Sequence, residues 1–361
     1  MAEITLRTKR ATRVIHADQH ERLLYAALRA GLELPHECAT GNCGSCQAEL
    51  VSGAAPEDAW PHAPGRRHMR EGGGRVLLCQ SLCAGSVELR LFGALGELSE
   101  TTPRPDYVQA SLQSVSALTA DVLLFVVRAQ QAIRYRAGQF MVLQVPGIDG
   151  WRAYSMIDAP AEGQELRFVV KKLPGGAFSN WIGERAEPGL PLRLFGPLGR
   201  ASFNTSMEDT ASGYAQGDTD LVAIAGGTGI AGILSVVDAA LASGHFRKHR
   251  ARIFFGVRKL PDAFLMERLC RIVEQGDGCA EATLVLSEQS STEPALPAFP
   301  GIRFASGLVH AVAMHQLRLA PPANGTAFFL AGPSVLIDAA RQSLTAQMAV
   351  KAQQIRCDSF G

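Results

Sequence analysis

Three cysteines with the spacing C-x4-C-x2-C lie in the segment PHECATGNCGSC, residues 35–46, and a fourth follows in the segment LLCQ. This spacing is typical of proteins that hold a two-iron, two-sulfide cluster, in which each iron needs two thiolates to complete a tetrahedron of sulfur. The small residues between the cysteines let amide N–H groups approach the sulfides and help to set the reduction potential. The sequence therefore predicts a [2Fe–2S] cluster with four ligands: Cys38, Cys43, Cys46 and Cys79.

Two other metal sites could use the same region. A structural zinc site would need two cysteine pairs with C-x2-C and C-x3-C spacing, and the chain offers Cys43, Cys46, Cys79 and Cys83. That site leaves Cys38 without a ligand role. A Rieske-type centre needs two histidines in place of two thiols, which the order of His36 and Cys38 does not supply. The [2Fe–2S] cluster is therefore the favoured hypothesis.

A second set of candidate residues is the R-x-Y-S motif at 152–155, followed by KKLPGGAFS at 171–179. These residue types suit a flavin, because the guanidinium can pair with a phosphate, the phenol ring can lie against the flavin rings, and the serine can hydrogen-bond N5. Gly175, Gly176 and Ser179 at a helix start offer N–H groups to a diphosphate. A paired glycine before a helix is often a plain turn, so the flavin hypothesis depends on the order and spacing of both motifs.

A third candidate is the glycine loop AGGTGIAG, which joins the apolar segment LVAIA to a helical pattern. Gly226, Gly227, Thr228 and Gly229 would let a dinucleotide diphosphate approach the end of the strand and the start of the helix. The loop is not the G-x-G-x-x-G of Rossmann dehydrogenases. The alternative is that these glycines only permit tight packing of the helix on the sheet.

Composition sets the class of protein. A chain of 361 residues predicts two or three domains, and a net charge of +1 gives no broad electrostatic case for nucleic acid or an anionic membrane. The start MAEITLRTKR lacks the apolar core of a signal peptide, and the longest uncharged apolar run, 221–237, is interrupted by glycines. No membrane span is therefore predicted. Eight cysteines without an export signal indicate a reducing, cytoplasmic location.

The elements around these motifs predict three regions. Residues 1–95 combine short strands, a helix over 21–30 and the cysteine loop, which predicts a ferredoxin domain of β-grasp type; its Pro- and Gly-rich excursion, 54–74, is interpreted as a solvated loop rather than a partner-docking segment. Residues 106–204 carry short strands separated by turns, which predict an antiparallel β-barrel for a flavin. After a polar linker at 205–219, residues 219–361 alternate strands and helices, which predicts a doubly wound parallel sheet.

The motifs together resemble the reductase components of bacterial multicomponent oxygenases, in which an N-terminal plant-type ferredoxin is fused to a flavin and nucleotide module like that of ferredoxin–NADP reductase. The resemblance spans nearly the whole chain and rests on independent motifs in the expected order: PHECATGNCGSC with LLCQ, RAYS, KKLPGGAFS, FGPLG, AGGTGIAG, FFGVR, AGP and the closing CDSF. It implies FAD rather than FMN.

The resemblance also implies roles for single residues. By this resemblance, Ser155 lies at flavin N5 and Arg152 contacts a phosphate. Tyr154 stacks on the flavin ring, and Phe360 borders the flavin where the nicotinamide must enter. The candidate catalytic residues are therefore Ser155, Tyr154 and Phe360. The candidate residues for flavin binding are Arg152, Tyr154, Ser155, Phe168, Val170, Lys171, Gly175, Gly176, Ser179 and Phe360. Those for nucleotide binding are Gly226, Gly227, Thr228, Gly229, Gly256, Arg258, Gly332 and Pro333.

The chain departs from the family pattern at two positions. Ala331 replaces a cysteine that usually precedes Gly-Pro near the nicotinamide, and Gly232 replaces a proline after the glycine loop. Because hydride transfer needs no nucleophilic thiol, we expect activity with an altered nicotinamide position. Arg258 and Lys259 could contact a ribose 2'-phosphate, but the resemblance favours NADH, with NADPH as the alternative.

Electron counting completes the functional prediction. NAD(P)H donates two electrons as hydride and the cluster accepts one at a time, so a flavin must stand between them. The expected acceptor is an oxygenase (hydroxylase) component or a separate ferredoxin in aromatic or hydrocarbon oxidation, and the chain is expected to be a monomer. One alternative is a stand-alone NAD(P)H flavin reductase or oxidase with a small-molecule acceptor. Another is a non-enzymatic metal scaffold, which leaves the flavin and glycine motifs unexplained.

Overall fold

The computed structural model of the protein describes residues 1–70, 74–160, 163–203, 219–288 and 299–360. Almost all of the linker predicted at 205–219 lies outside the described residues, as do the predicted end points 204 and 361. The chain forms two compact units. Unit 1 comprises Met1–Gln109, Met141–Ala153 and Pro191–Leu198, and unit 2 comprises Ala110–Phe140, Tyr154–Leu190 and Gly199–Gly361.

The first part of unit 1 is a small mixed sheet with one helix. Its elements are β1 (Ala2–Arg7), β2 (Thr12–Ala17), α1 (Leu23–Arg29), β3 (Leu32–Glu33), β4 (Gln47–Gly53), β5 (Glu57–Asp58), β6 (Arg75–Leu77), β7 (Ser81–Leu82), β8 (Val87–Leu91) and β9 (Gly96–Glu97). The main sheet has the order β2-β1-β8-β4-β6, and β1 and β8 are parallel. Helix α1 is buried over Leu23–Leu28 and is followed by Gly31 at φ +84°, a left-handed position that glycine adopts without strain.

The strands between residues 106 and 198 are shared between the units. They are β10 (Asp106–Ala117), β11 (Val122–Ala129), β12 (Phe140–Val145), β13 (Ile148–Ser155), β14 (Glu165–Lys171) and β15 (Pro191–Leu198), with helix α2 (Ala177–Glu184) after β14. Within unit 2, β11 pairs antiparallel with β10 and with β14. Alternate β11 side chains, including Phe125, are buried, as expected of short antiparallel strands that cover a core.

The rest of unit 2 alternates strands and helices. Its elements are β16 (Leu221–Gly226), α3 (Ile230–Ala242), β17 (Ala251–Val257), α4 (Met266–Gln275), β18 (Ala280–Leu286), β19 (Ile302–Ser306), α5 (Val309–Leu319), β20 (Ala327–Pro333), α6 (Ser334–Met348) and β21 (Ile355–Phe360). The strands form one parallel sheet in the order β19-β18-β17-β16-β20-β21. The predicted doubly wound sheet is confirmed.

Strand β16 shows why this sheet is covered on both faces. Ala223 and Ala225 belong to one apolar cluster, with α3 and α4, while Val222 and Ile224 belong to another, with α5 and α6. A strand that is buried on both faces has a continuous run of apolar residues in its sequence, and LVAIA is such a run. The chain turns from β16 outward to β17 and later returns to β20 on its other side. Ligands of doubly wound sheets bind at the carboxyl ends of strands at such a reversal.

Among the described residues, none of the helices combines the length and the apolar character required to cross a bilayer.

Candidate functional site

The four predicted cluster ligands lie together in unit 1 as two pairs. The sulfurs of Cys46 and Cys79 are 3.2 Å apart. The thiols of Cys38 and Cys43 form the second pair, and their hydrogen bond lowers the pKa of Cys38 to about 5. Within the described parts of the chain, no three His, Cys, Asp or Glu side chains gather closely enough to hold a single metal ion. Two pairs suit a two-iron cluster, which takes two thiolates per iron.

Backbone amides surround these sulfurs. The N–H groups of Thr40 and Cys43 lie 3.5 and 3.4 Å from the Cys38 sulfur, and the N–H of Ser45 lies 3.5 Å from the Cys43 sulfur. The loop reaches this shape through left-handed residues, among them Gly41 at φ +97° and Gly44 at φ +76°. Donors directed at sulfur favour the thiolate form and tune a bound cluster. The loop therefore fits the predicted [2Fe–2S] group.

Cys83, which the zinc alternative requires, is oriented differently. Its thiol is buried and lies 3.9 Å from the carbonyl oxygen of Gly85. Burial raises the pKa of the Cys83 thiol, and a thiol must be deprotonated to bind metal. The geometry therefore favours the set that contains Cys38 over the set that contains Cys83.

Two residues that the sequence analysis did not identify hold the cluster loop in place. The buried guanidinium of Arg22 donates hydrogen bonds to the carbonyl oxygen of Cys79 and to Gln80 Oε1. The hydroxyl of Tyr25 donates to the carbonyl oxygen of Ala39 at 3.0 Å. Both residues flank or begin α1 and are distant in sequence from their partners, so no local pattern could reveal them.

Tyr25 also belongs to an aromatic cluster in unit 1. Its ring stacks on Phe195 with centroids 4.4 Å apart and an interplanar angle of 8°. Tyr107 and Trp151 complete the cluster, and the guanidinium of Arg193 lies 4.2 Å from the centroid of the Tyr107 ring. The cluster thus links the helix behind the cysteine loop to strands β13 and β15.

The predicted flavin residues of strand β13 have different environments. Arg152, in unit 1, donates a hydrogen bond to the carbonyl oxygen of Asp149. In unit 2, the ring of Tyr154 packs against Phe125 and Phe178 at centroid distances of 5.5 and 5.2 Å. Tyr154 is half-buried, and these two rings support it as an aromatic platform of the kind against which a ring system can stack.

Ser155 has an acidic partner that the sequence analysis missed. Its hydroxyl donates a hydrogen bond to the carboxylate of Asp358, 203 positions away. Burial raises the pKa of Asp358, and the hydrogen bond from Ser155 opposes that effect. A Cβ atom placed on Gly232 would lie 3.4 Å from the Ser155 Cβ and 3.6 Å from Asp358 Oδ2. The glycine that replaces the family's proline therefore borders this pair.

The segment 171–179 partly matches its predicted role. Gly175 has φ +71° and open space where a Cβ atom would lie, and α2 starts after Gly176 without a side-chain cap, so the first amides of α2 can meet an anion. Ser179 is buried and its hydroxyl accepts a hydrogen bond from the Leu173 N–H at 3.1 Å. Through this hydrogen bond the Ser179 hydroxyl fixes the shape of the loop between Leu173 and Ser179. Lys171 pairs with Asp121 at 2.9 Å.

Phe168 and Val170, two further predicted flavin contacts, have buried side chains. Phe168 stacks on Phe125 with centroids 5.2 Å apart. The side chains of both residues therefore serve the core of unit 2, and only their backbone could reach a ligand.

The sequence left open whether the glycines of the loop at 226–229 serve ligand binding or tight packing. The loop has positions suited to each. A Cβ atom on Gly229 would lie 2.2 Å from the carbonyl oxygen of Ala331, and one on Gly226 would lie 2.9 Å from Leu336. Gly227 differs, because it has φ +53° and open space around it. Thr228 lies in the same turn, and α3 begins beyond it without a side-chain cap. The loop therefore packs on β20, and because the N–H of Ile230 is directed at the carbonyl oxygens of Gly227 and Thr228, the amides that could meet an anion are those of the turn before α3.

The other predicted nucleotide residues lie at the carboxyl edge of the parallel sheet. Gly226 is level with Gly256 in the strand register, and Pro333 is level with Phe360. Gly256 packs against Val309, where a Cβ atom would come within 2.6 Å. Gly332 has φ +149°, a region that glycine adopts readily. Ala331, in the usual cysteine position, is buried level with Asp358.

Arg258 follows β17 and faces two carboxylates. Its guanidinium lies 3.6 Å from Asp121 and 3.6 Å from Asp262. Burial opposes ionisation of Asp121, but the hydrogen bond and charge of Lys171 outweigh it, so the pKa of Asp121 is lowered. Arg258, the cation that could contact a ribose 2'-phosphate, is therefore already paired with two carboxylates.

Three family models match the chain in the order of these sites. They are a 2Fe-2S iron-sulfur cluster binding domain at residues 6–84, an oxidoreductase FAD-binding domain at 109–203, and an oxidoreductase NAD-binding domain at 223–342. The matches confirm the predicted cofactors, a [2Fe–2S] cluster, FAD and NAD(P)H, and the predicted fold classes, including the antiparallel flavin barrel.

Full-length relatives extend the match. The chain is 30% identical to the "Alkene monooxygenase system, ferredoxin--NAD(+) reductase component" of Xanthobacter autotrophicus, over 94% of this chain and 95% of that protein. It is 30% identical to the "Propane 2-monooxygenase, reductase component" of Mycolicibacterium goodii, over 95% and 92%. Among solved structures, the "Ferredoxin reductase in carbazole 1,9a-dioxygenase" matches with a TM-score of 0.76 and 26% identity, over 99% and 98%.

The fold and cofactor set define an NAD(P)H:acceptor oxidoreductase. The chain belongs to the family of reductase components of multicomponent oxygenases, as the sequence motifs predicted.

Proposed function

We propose that this protein transfers electrons from NADH to an oxygenase component or a separate ferredoxin of an aromatic or hydrocarbon oxidation system. The observation that carries the proposal is the arrangement of four thiols as two pairs, Cys38 with Cys43 and Cys46 with Cys79, in a chain that also has the nucleotide fold. When bound, FAD accepts the two electrons of a hydride and the cluster passes electrons on singly. The organic substrate is oxidised by the partner.

Each thiol pair would hold one iron of the cluster. The amides of Thr40, Cys43 and Ser45 direct positive charge toward the sulfurs and favour the thiolate form. Arg22 and Tyr25 fix the carbonyl groups of Cys79 and Ala39, so the loop keeps its shape in both redox states of a bound cluster.

The flavin would be held by residues with separate tasks. Within unit 2, Tyr154 would offer its ring and the start of α2 its amides. Because the Ser155 hydroxyl donates to Asp358, its lone pairs point elsewhere and can accept a hydrogen bond from an N–H group. Ser155 therefore matches the protonated form of flavin N5.

NADH would bind at the carboxyl edge of the parallel sheet. The amides of Gly227, Thr228 and Gly229, in the turn before α3, would receive the diphosphate. Phe360 would cover the flavin until the nicotinamide enters. The carboxylates of Asp121 and Asp262 beside Arg258 would repel a 2'-phosphate, which favours NADH over NADPH.

We further propose the three-domain division 1–95, 106–204 and 219–361, a monomer, and a cytoplasmic location. All eight cysteines are free thiols, and a reducing compartment preserves thiols for metal binding.

Paired cysteine variants test the cluster assignment. Purified protein is expected to show overlapping flavin and iron–sulfur absorbance, and NADH is expected to bleach both. Cys38→Ser is expected to abolish the iron–sulfur absorbance and leave the flavin bands, whereas Cys83→Ser is expected to keep both. The zinc alternative predicts no iron–sulfur absorbance in any form of the protein, and loss of bound zinc in Cys83→Ser rather than in Cys38→Ser. A Cys38→Ser protein that keeps its cluster would refute the proposed ligands.

A further inference from the structure

The Arg- and His-containing turn at 64–70, interpreted from sequence as a solvated loop, lies directly on the cluster loop. The N–H of Gly65 donates to the carbonyl oxygen of Gly41 at 2.8 Å. A Cβ atom on Gly44 would come within 2.6 Å of the Gly65 carbonyl oxygen and 3.3 Å of the His68 side chain. Backbone touches backbone here, so the turn holds a fixed place beside the cysteines.

The turn presents positive charge to solvent. Arg67, His68 and Arg70 are exposed; Arg67 and Arg70 carry the charge, and Arg67 Nε donates a hydrogen bond to His68 Nε2 at 3.1 Å. Arg66, by contrast, pairs with Asp58. We define the basic rim as Arg67, His68, Arg70 and Arg75.

The charges of this rim differ from those on the neighbouring sheet. Arg7, Arg13 and Arg90 are each paired with a glutamate. Among ion pairs between described residues, none joins Arg67, Arg70 or Arg75 to a carboxylate. In the cysteine loop itself, 35–47, Glu37 is the only acidic residue. Among the described residues, Arg67, Arg70 and Arg75 therefore place positive charge beside the loop that carries the half-buried Cys43.

A cleft adjoins the rim. It has a volume of about 260 Å³ and is lined by Pro35, Gly44, Ser45, Gln47, Arg75 and Phe92. The guanidinium of Arg75 lies 4.4 Å from the centroid of the Phe92 ring, which is 49% exposed. Arginine and aromatic side chains are enriched at protein interfaces, and Pro35, Gly44, Ser45 and Gln47 of this cleft belong to the cysteine loop.

We propose that the basic rim and this cleft form the docking surface for the electron acceptor, and that the acceptor presents an acidic surface. The inference rests on the proposed function, because it assigns the exit point of electrons that the cluster delivers. Electron-transfer complexes use small, transient interfaces, so encounter is steered by charge more than by buried area. Arginines around the thiols would draw carboxylates of the acceptor over the cluster.

The test uses the full-length holoprotein, reduced with NADH, and two probe acceptors of opposite charge. Cytochrome b5 serves as the acidic probe and cytochrome c as the basic one. The rate constant for the acidic probe is expected to fall as salt rises from about 10 mM to about 1 M, over which the Debye length shrinks from about 30 to 3 Å. That for cytochrome c is expected to rise or stay level.

Charge reversal locates the effect. The double variant Arg67→Glu, Arg70→Glu is expected to reduce the acidic probe about tenfold more slowly at low salt, with the difference lost at high salt. The matched control is Lys9→Glu, Arg10→Glu, which makes the same charge change at exposed positions in the turn after β1. An unchanged rate in the rim variant, or an equal loss in the control, overturns the proposal.

A second readout separates this inference from the proposed function. Bleaching of the flavin and cluster bands by NADH is measured in every variant before the probe is added, and is expected to match the wild type. Wild-type protein whose cluster NADH does not bleach refutes the proposed function itself. Normal bleaching with charge-insensitive transfer refutes only the docking surface. If the Glu variant loses its cluster, Arg67→Gln, Arg70→Gln gives the same comparison with a smaller expected decrease.

Discussion

At the scale of single residues, the fold controls the ionisation of Asp358. Burial raises its pKa, and the remaining stabilisation of the charged form comes from the Ser155 hydroxyl. An acid with a raised folded-state pKa adds stability below its unfolded-state pKa and loses it as pH rises through the folded-state value. At neutral pH, Asp358 therefore destabilises the fold relative to a neutral isostere.

Asp358→Asn is accordingly expected to raise the melting temperature at pH 7.5. The gain should shrink on acidification and vanish below about pH 4, where the aspartate is protonated in both states. Differential scanning calorimetry of cofactor-free protein measures this profile. Asp338→Asn, at an exposed position paired with Arg341, is the control and should show no comparable gain. A pH-independent difference for Asp358→Asn would contradict the assignment.

The proposed preference for NADH also depends on single carboxylates. Asp121 and Asp262 both lie 3.6 Å from the Arg258 guanidinium. Replacing both with asparagine would free Arg258 and remove negative charge from its surroundings. We expect kcat/KM for NADPH to rise about tenfold, a change of about 1.4 kcal/mol, with little change for NADH. If the ratio of the two nucleotides stays constant, Arg258 lies away from the ribose.

At the scale of elements, the glycine loop separates packing from ligand binding. Gly229→Ala would force a Cβ atom within 2.2 Å of a β20 carbonyl oxygen, and overpacking of this kind costs about 1–3 kcal/mol. Gly227→Ala meets open space and costs only the left-handed backbone, about 1 kcal/mol. Urea unfolding should therefore show the larger loss for Gly229→Ala. Equal losses would mean that the loop can shift away from β20.

Helix α1 offers a second prediction at this scale, because Tyr25 joins it to the cluster loop. Tyr25→Phe keeps the stack on Phe195 and removes the hydrogen bond to Ala39, which is worth about 1 kcal/mol. Tyr25→Ala removes both and is expected to cost about 3–5 kcal/mol. The measurements are urea unfolding and the fraction of protein that retains iron–sulfur absorbance. Similar losses in both variants would show that the hydroxyl alone matters.

How much of this was accessible from sequence depends on how local each interaction is. The ligand cysteines, the R-x-Y-S motif and the glycine loop are short patterns whose spacing reflects one cofactor each, and apolar runs such as LVAIA identified the buried strands. Asp358, Arg22 and Tyr25 act on partners far along the chain, so nothing near them in sequence signals their role. Likewise, only coordinates show that Gly229 is needed for packing while Gly227 is open to a ligand.

At the scale of the whole molecule, the proposed two-electron transfer from NADH and the proposed one-electron transfer through the cluster use residues of different units. The residues proposed to bind NADH lie in unit 2, and the four thiols lie in unit 1. A small acceptor such as ferricyanide can be reduced directly by a flavin, whereas a protein acceptor depends on the cluster. The two activities should therefore respond differently to loss of one thiolate.

Cys43→Ser tests this separation. NADH-dependent reduction of ferricyanide is expected to stay within about twofold of wild type, because no residue of the flavin or nucleotide sites changes, whereas reduction of cytochrome c should fall at least about tenfold, or 1.4 kcal/mol in barrier. Cys83→Ser, a buried thiol beside Gly85, should leave both rates intact. If cytochrome c reduction survives in Cys43→Ser, electrons leave from the flavin. The protein would then act as a stand-alone flavin reductase whose thiols are structural.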